Sequence, residues 1–368
     1  MADFTLDEDQ QQIQDMMRKF ARNEFRPMAR QCDEDADIPV DLFDKTWELG
    51  LTMNAVPESF GGFGMDRSVV TSAIIAEELA WGDISLALAA TAPLLMMIPV
   101  LEFGTEDQQA AWLPKFTNET PFIATAALLE PRIGFSPFAL QTTVTRDGND
   151  LVLNGQKCMV PLADRAEHIL VFASAGDSTA GNVQALVVDK NAPGLSVGER
   201  EKNLGLHALP LFPVTFDNCR VPGTNLLGGE AGIDYHRLLN LARVITSAMA
   251  VGVARASHEY ARDYAKERTA FGEPIASRQA IAFMLAESAM EIDAMRLMAW
   301  KAAWMLDRNE DATCESTLAK HYCADQTMKV TDYGVQILGG HGYIREHPVE
   351  LWFRNGRAFA IMEGLAIG

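Results

Sequence analysis

The stretch from Gln336 to Gly368, QILGGHGYIREHPVELWFRNGRAFAIMEGLAIG, sets one acid, Glu363, inside the apolar run AIMEGLAI. Such a carboxylate lies either on the surface of a frayed terminus or in a dry pocket, where burial raises its proton affinity towards a general base's working range. On residue types alone the surface position is the commoner outcome. Arg243, in LLNLARVITSAMAVGVA, is a lone cation among small and apolar residues and needs a partner if buried. Arg268 and Gly272 in ERTAFG and the pair Gly339–Gly340 offer a third chemistry, because a pyrophosphate needs a fork of donors and glycines that let backbone N–H groups approach. On residue types alone, a helix-end cation and a plain turn are the commoner account of the same residues.

The glycine pieces GGFGM and GGHGY do not make a nicotinamide dinucleotide site. That motif needs a strand before the glycines and a helix opening directly from them, whereas GGFGM lies between helical stretches and GGHGY follows the helical KVTDYGVQIL. A net charge of −19 argues against nucleic acid or an anionic membrane as partner, so any phosphate-bearing ligand must meet a local basic cluster. The five cysteines are odd in number, widely spaced and without a CxxC, which suggests reduced cytoplasmic thiols and neither a disulfide framework nor a zinc site. MADFTLDEDQQQ lacks the basic-then-apolar order of a signal peptide. The apolar ISLALAATAPLLMMIPVL is long enough for a membrane span, but two prolines and its acidic flank predict a buried helix pair without membrane insertion.

With 368 residues and 48% hydrophobic content the chain supports two or three packed units. Residues 1–120 read as an all-α domain opening on a Thr5 cap, with Ile13, Met16, Met17 and Phe20 at helical spacing; Thr105 caps a further helix. Residues 121–230 carry strand-like stretches, FIATAALL, ALQTTVTR, DLVLNGQKCMV, HILVFASA, VQALVVDK and FPVTFDNCRV, without intervening helices, which predicts an antiparallel β-barrel or sandwich. In residues 231–368 the helical period returns, broken at FGEPIASRQ and RNEDATC, and four long helices would form a bundle. The expected class is α+β, multidomain.

Seven stretches in order resemble the flavin-dependent acyl-CoA dehydrogenases: VPESFGGFGMD with AEELAWGDIS, GTEDQQAAWLPKF, LEPRIG, LNGQK, FDNCRVPGTNLLG, YAKERTAFGEPIASRQ and GVQILGGHGYIREHPVELWFRNGRAFAIMEG. The resemblance covers essentially the whole chain and implies that family's helical, β, helical-bundle fold. It implies FAD as cofactor, with Arg268, Phe271, Gln336, Gly339 and Gly340 meeting its adenosine diphosphate across a subunit contact. Glu363 takes the place of the base, and the family's other base position, immediately before Arg243, is occupied here by Ala242. Arg243, Asn240, Phe135 and Gly364 fall at the acyl-CoA pocket. An electron-transfer flavoprotein as electron acceptor and a homotetramer or heterotetramer follow from the same resemblance.

The departures are concentrated on one side of the flavin. Where the family carries TEPGAGSD and QKxWITN, this chain has LEPRIGFS and QKCMVPLA, so Leu129 replaces the Thr, Phe135–Ser136 the Ser–Asp pair, Met159 the Trp and Pro161 the Thr beside flavin N5. Pro161 has neither a hydroxyl nor a backbone N–H to donate. Beside the base, Met362, Asn355 and Leu365 replace Tyr, Asp and Thr. Three alternatives therefore stand beside the dehydrogenase: a structural subunit pairing with a competent homologue, a flavin-dependent oxidase, and a flavin-free acid–base enzyme.

Overall fold

The computed structural model describes residues 4–176 and 182–368. The first segment is helical: α1 (Glu8–Phe20), α2 (Arg26–Asp35), α3 (Val40–Glu48), α4 (Val69–Gly82), α5 (Ile84–Thr91), α6 (Leu94–Phe103) and α7 (Glu106–Trp112). Helix α1 is capped by Asp7 in a box with Gln10, two residues after the expected Thr5, because Gln10 can close the reciprocal bond only from there. Thr105 caps α7 as expected, in a second such box with Gln108. The apolar ISLALAATAPLLMMIPVL forms α5 and α6, buried almost throughout.

The middle segment is a curled seven-stranded sheet: β1 (Ala124–Ala127), β2 (Thr143–Asp147), β3 (Asp150–Pro161), β4 (His168–Ser174), β5 (Val183–Asp189), β6 (Leu195–Val197) and β7 (Leu211–Pro222). The order is β1-β4-β2-β3-β7-β6, with β5 on β4. Most pairings are antiparallel as expected, but β4 runs parallel to β1 and to the start of β2. The long connection from β1 to β2 makes this possible, since parallel neighbours need a crossover rather than a tight hairpin. That same connection carries Leu129 to Ser136.

The last segment contains α8 (Tyr235–Glu267), a small hairpin of β8 (Thr269–Ala270) and β9 (Glu273–Pro274), α9 (Gln279–Asp307), α10 (Thr313–Leu338), α11 (Gly340–Tyr343) and α12 (Val349–Gly356). Three of these helices are long, not four. Gly339 at φ +59° stops α10, and Pro348 delays α12, so both α11 and α12 are short. A further long partner of α8 is α4, from the first segment. Although α8 is long and apolar enough to cross a membrane, its apolar window is 94% buried inside the fold.

Helix α4 meets α8 closely at Gly252, where an added Cβ would lie 2.2 Å from the Glu77 carbonyl oxygen. Beside this contact Arg255 donates to Glu77 Oε1 (2.7 Å) and Glu78 Oε1 (2.9 Å), Arg296 of α9 donates to Glu77 Oε1 at 3.0 Å, and Arg18 of α1 donates to Glu78 Oε1 at 2.8 Å. Burial alone would raise the Glu78 carboxyl, but Arg255 and Arg18 hold it below its ordinary value. Replacing Gly252 with Ala should push α4 from α8 and lower stability by about 1–3 kcal/mol, as overpacking does, measured by denaturant unfolding against wild type.

Candidate active site

Glu363 is buried, 7% exposed, not on the surface. Its Oε1 accepts from Arg243 Nε at 2.9 Å, and its Oε2 accepts from Lys320 Nζ. Arg243 thus has the partner that its apolar surroundings require. Its Nη1 also donates to Thr317 Oγ1 at 2.9 Å, and its guanidinium lies 5.9 Å from the Phe138 ring centroid. One turn earlier on α8, Asn240 donates to Thr313 Oγ1 at 3.0 Å and accepts from Ser316 Oγ at 2.9 Å. The seam between α8 and α10 is therefore polar along one line, with Asn240 and Arg243 on one side and Thr313, Thr317 and Lys320 on the other.

Sequence reasoning missed Lys320. The signal was the spacing Thr313, Thr317, Lys320, which puts three polar side chains on one face of a helix. Tyr235, also unforeseen, is buried at the start of α8; its hydroxyl donates to the Pro137 carbonyl at 2.7 Å. Burial first, then the charge of Glu363, pushes that hydroxyl above its ordinary value.

One cavity reaches Gly364, and another lies at the far end of the seam. An apolar cavity of about 20 Å³ is lined by Leu95, Pro99, Leu128, Leu238, Ala242 and Gly364, the residue after Glu363. An open cavity of about 650 Å³ lies at the end of the seam, where Asp234, His236, Asn240, Asp311 and Thr313 line it. Phe135 is only partly buried, on the β1–β2 connection with Arg132 over its ring. Of the expected acyl-pocket residues, Arg243 touches Glu363 and Gly364 adjoins it in sequence; Asn240 lies a turn away along the seam.

The β1–β2 connection is held by a buried ion pair. Glu130 accepts from the N–H groups of Gln141 and Thr142, both at 2.8 Å, while Lys157 Nζ reaches Glu130 Oε1 and the Leu128 carbonyl, both at 3.0 Å. Burial pushes the Lys157 ammonium down to about 8, and Glu130 opposes that shift. Strand β3 bulges between Lys157 and Val160, with Met159 in the left-handed region at φ +52°. There Cys158 N–H donates to the Leu129 carbonyl (2.9 Å), Met159 N–H to Glu201 Oε1 (3.0 Å) and Leu162 N–H to the Pro210 carbonyl (2.9 Å). Leu129, Met159 and Pro161 are buried, and the donors around them are already committed.

Arg268, Phe271, Gln336, Gly339 and Gly340 are all exposed. Nothing lies within 4 Å of a Cβ built on Gly339 or Gly340, so backbone can be approached there. These residues are far from Glu363. At about 1.5 Å per residue, Arg268 is roughly 37 Å along α8 from Arg243, and Gln336 about 24 Å along α10 from Lys320.

Matches to three family models run the length of the chain: acyl-CoA dehydrogenase N-terminal domain over residues 7–120, middle domain over 125–219 and C-terminal domain over 233–366. The chain belongs to the acyl-CoA dehydrogenase family, whose members bind FAD and are oxidoreductases acting on CH–CH donors. It is 35% identical over 367 residues to a probable acyl-CoA dehydrogenase, YngJ, of Bacillus subtilis, covering 98% of this chain and 96% of that protein. It is 35% identical over 369 residues to the mitochondrial short-chain specific acyl-CoA dehydrogenase of Mus musculus, covering 98% and 87%. Among solved structures, butyryl-CoA dehydrogenase from Megasphaera elsdenii superposes with a TM-score of 0.89 at 30% identity, covering 98% of this chain and 95% of that one.

The residues that the family resemblance implies for the two halves of FAD fit that cofactor unequally. The exposed guanidinium of Arg268 and the open glycines suit a pyrophosphate. The ring side offers apolar side chains and no free N–H at Cys158, Met159, Pro161 or Leu162. Each absent polar contact removes about 1 kcal/mol, against about 1.4 kcal/mol for a tenfold change in affinity. Titrating FAD into apo-protein should show weaker binding than in a variant carrying Met159→Trp and Pro161→Thr; equal affinities would mean that the apolar ring side compensates.

Proposed function

We propose that this chain removes the α- and β-hydrogens of an acyl-CoA thioester to give a trans-2-enoyl-CoA, with Glu363 as the base. The observation that carries this reading is the position of Glu363: a buried carboxylate one residue from Gly364, which lines an apolar cavity between α6, α8 and the sheet. That apolar lining suits an acyl chain. Glu363 takes the α-proton, and Arg243, fixed by Thr317, keeps the carboxylate oriented. A backbone N–H beside the base is the donor assigned to the thioester carbonyl as enolate charge develops. FAD, when bound, would supply the acceptor for the β-hydrogen as hydride, and an electron-transfer flavoprotein would be the acceptor for its electrons. Arg268, Gln336, Gly339 and Gly340 would hold its diphosphate half.

The separation of Arg268 and Gln336 from Glu363 supports an assembly. A pyrophosphate held at Arg268 is too distant for its flavin ring to reach the same chain's Glu363 through one ribityl chain, so the site is completed by a neighbouring chain, in a homotetramer or heterotetramer. The exposed Phe283, Met290 and Leu297, spaced by seven along α9, give such an assembly apolar surface. The free cysteines suit a reducing compartment, and we assign the protein to the cytoplasm. A second reading, a subunit that depends on a homologous partner for its flavin ring, is favoured by the committed N–H groups of Cys158, Met159 and Leu162.

Glu363→Gln keeps the shape of the side chain and removes its basicity. Turnover of acyl-CoA should fall by about a hundredfold to ten-thousandfold with thioester binding largely kept; unchanged turnover would remove Glu363 from the mechanism. Sedimentation of the FAD-loaded protein should give a tetramer, and a monomer retaining FAD would contradict the shared site.

A further inference from the structure

Both oxygens of Glu363 are taken by cations, and the two cations are not equally fixed. Arg243 is held on three sides, by Glu363 Oε1 at 2.9 Å, Thr317 Oγ1 at 2.9 Å and the Phe138 ring, and Thr317 is itself tied to the Thr313 carbonyl at 2.6 Å. Lys320 holds Oε2, and among the described residues Glu363 is its one ion-pair partner. A lysine ammonium is a point charge on a flexible four-carbon stem, whereas a guanidinium is a rigid fork. Lys320 can leave by rotating its stem; Arg243 cannot leave without breaking the Thr317 bond. A base that takes a carbon-bound proton must present an oxygen to that carbon, and in this arrangement each oxygen already accepts from a cation.

We propose that Lys320 is a positioning residue: it holds Oε2 of Glu363 in the resting protein and moves off that oxygen when the thioester enters, leaving Oε2 to take the α-proton while Arg243 keeps Oε1. This rests on the reading of Glu363 as the base. In the step the Cα–H bond breaks, an O–H bond forms at Oε2, and the electron pair remains in the enolate of the thioester, so the proton transfer needs no oxidant. In general a cation beside a carboxylate favours its charged form, so removing the cation makes such an acid easier to protonate.

The other groups facing this carboxylate are few. Arg243 and Tyr235 come from α8, and Lys320 from α10. Tyr235 stays neutral, since burial pushes its hydroxyl up, and it donates to the Pro137 carbonyl. From the sheet, Glu130 acts on the same hydroxyl and is paired with Lys157. Lys320 is therefore the one cation here whose removal leaves the Arg243 anchor in place.

The test is exchange of the α-hydrogens of straight-chain acyl-CoA thioesters for solvent deuterium, followed by NMR across pH on the full-length FAD-loaded protein. It reads proton transfer without requiring net oxidation. Glu363→Gln should reduce exchange by about a hundredfold or more. Lys320→Met should move the acid limb of the exchange profile upward by about one pH unit, and Lys320→Arg should return it towards wild type. An unmoved limb in folded Lys320→Met, with exchange still dependent on Glu363, overturns the role of Lys320 alone. Unchanged exchange in Glu363→Gln instead overturns the reading of the base. If Lys320→Met does not fold by circular dichroism, Lys320→Gln, uncharged but polar, carries the same comparison: a shifted limb supports the proposal and an unshifted one overturns it.

Discussion

The charge of Glu363 is the constraint around which this site is built. A carboxylate in an apolar core is costly unless it is paired and hydrogen-bonded, and here a cation arrives from each of two helices that share a long seam. That requirement fixes the register of α8 against α10, because Arg243 and Lys320 must reach opposite oxygens of one group. The same register aligns Asn240 with Thr313 and Ser316.

The sheet solves a different problem with similar means. Its β1–β2 connection must stay in place although much of it is irregular, and the Glu130–Lys157 pair pins it from inside. A bulge in β3 then turns Met159 into the left-handed region and spends its N–H on Glu201. The departures from the family at Leu129, Met159 and Pro161 thus have a common physical outcome: the segment's polar groups are satisfied within the protein.

Much of this was legible in the sequence, and the remainder has identifiable causes. Helical spacing and strand-like runs gave the three segments, and the motif around Glu363 overrode the residue-type preference for a surface position. The parallel pairings of β4 were invisible because they depend on where a long connection returns. Four long C-terminal helices were expected, and three were found, because Gly339 and Pro348 act as stops inside a pattern that otherwise reads as helical. Lys320 went unnoticed because the carboxylate it serves lies 43 positions further on, and no local pattern marks a contact made only in three dimensions.

The ionic cluster between α4, α8 and α9 also bears on how the chain is made. Glu77 and Glu78 leave the ribosome early, but Arg255 follows 178 and 177 residues later and Arg296 later still. Through that interval Arg18 is the one member of the cluster available to them. Arg18 can serve Glu78, but among the described residues Glu77 has its cations only from α8 and α9, so α4 waits with an apolar face uncovered. Translation at the usual rate of about 5–20 residues per second makes that wait roughly ten to forty seconds, long enough for a holding chaperone to engage the nascent chain before its partners arrive.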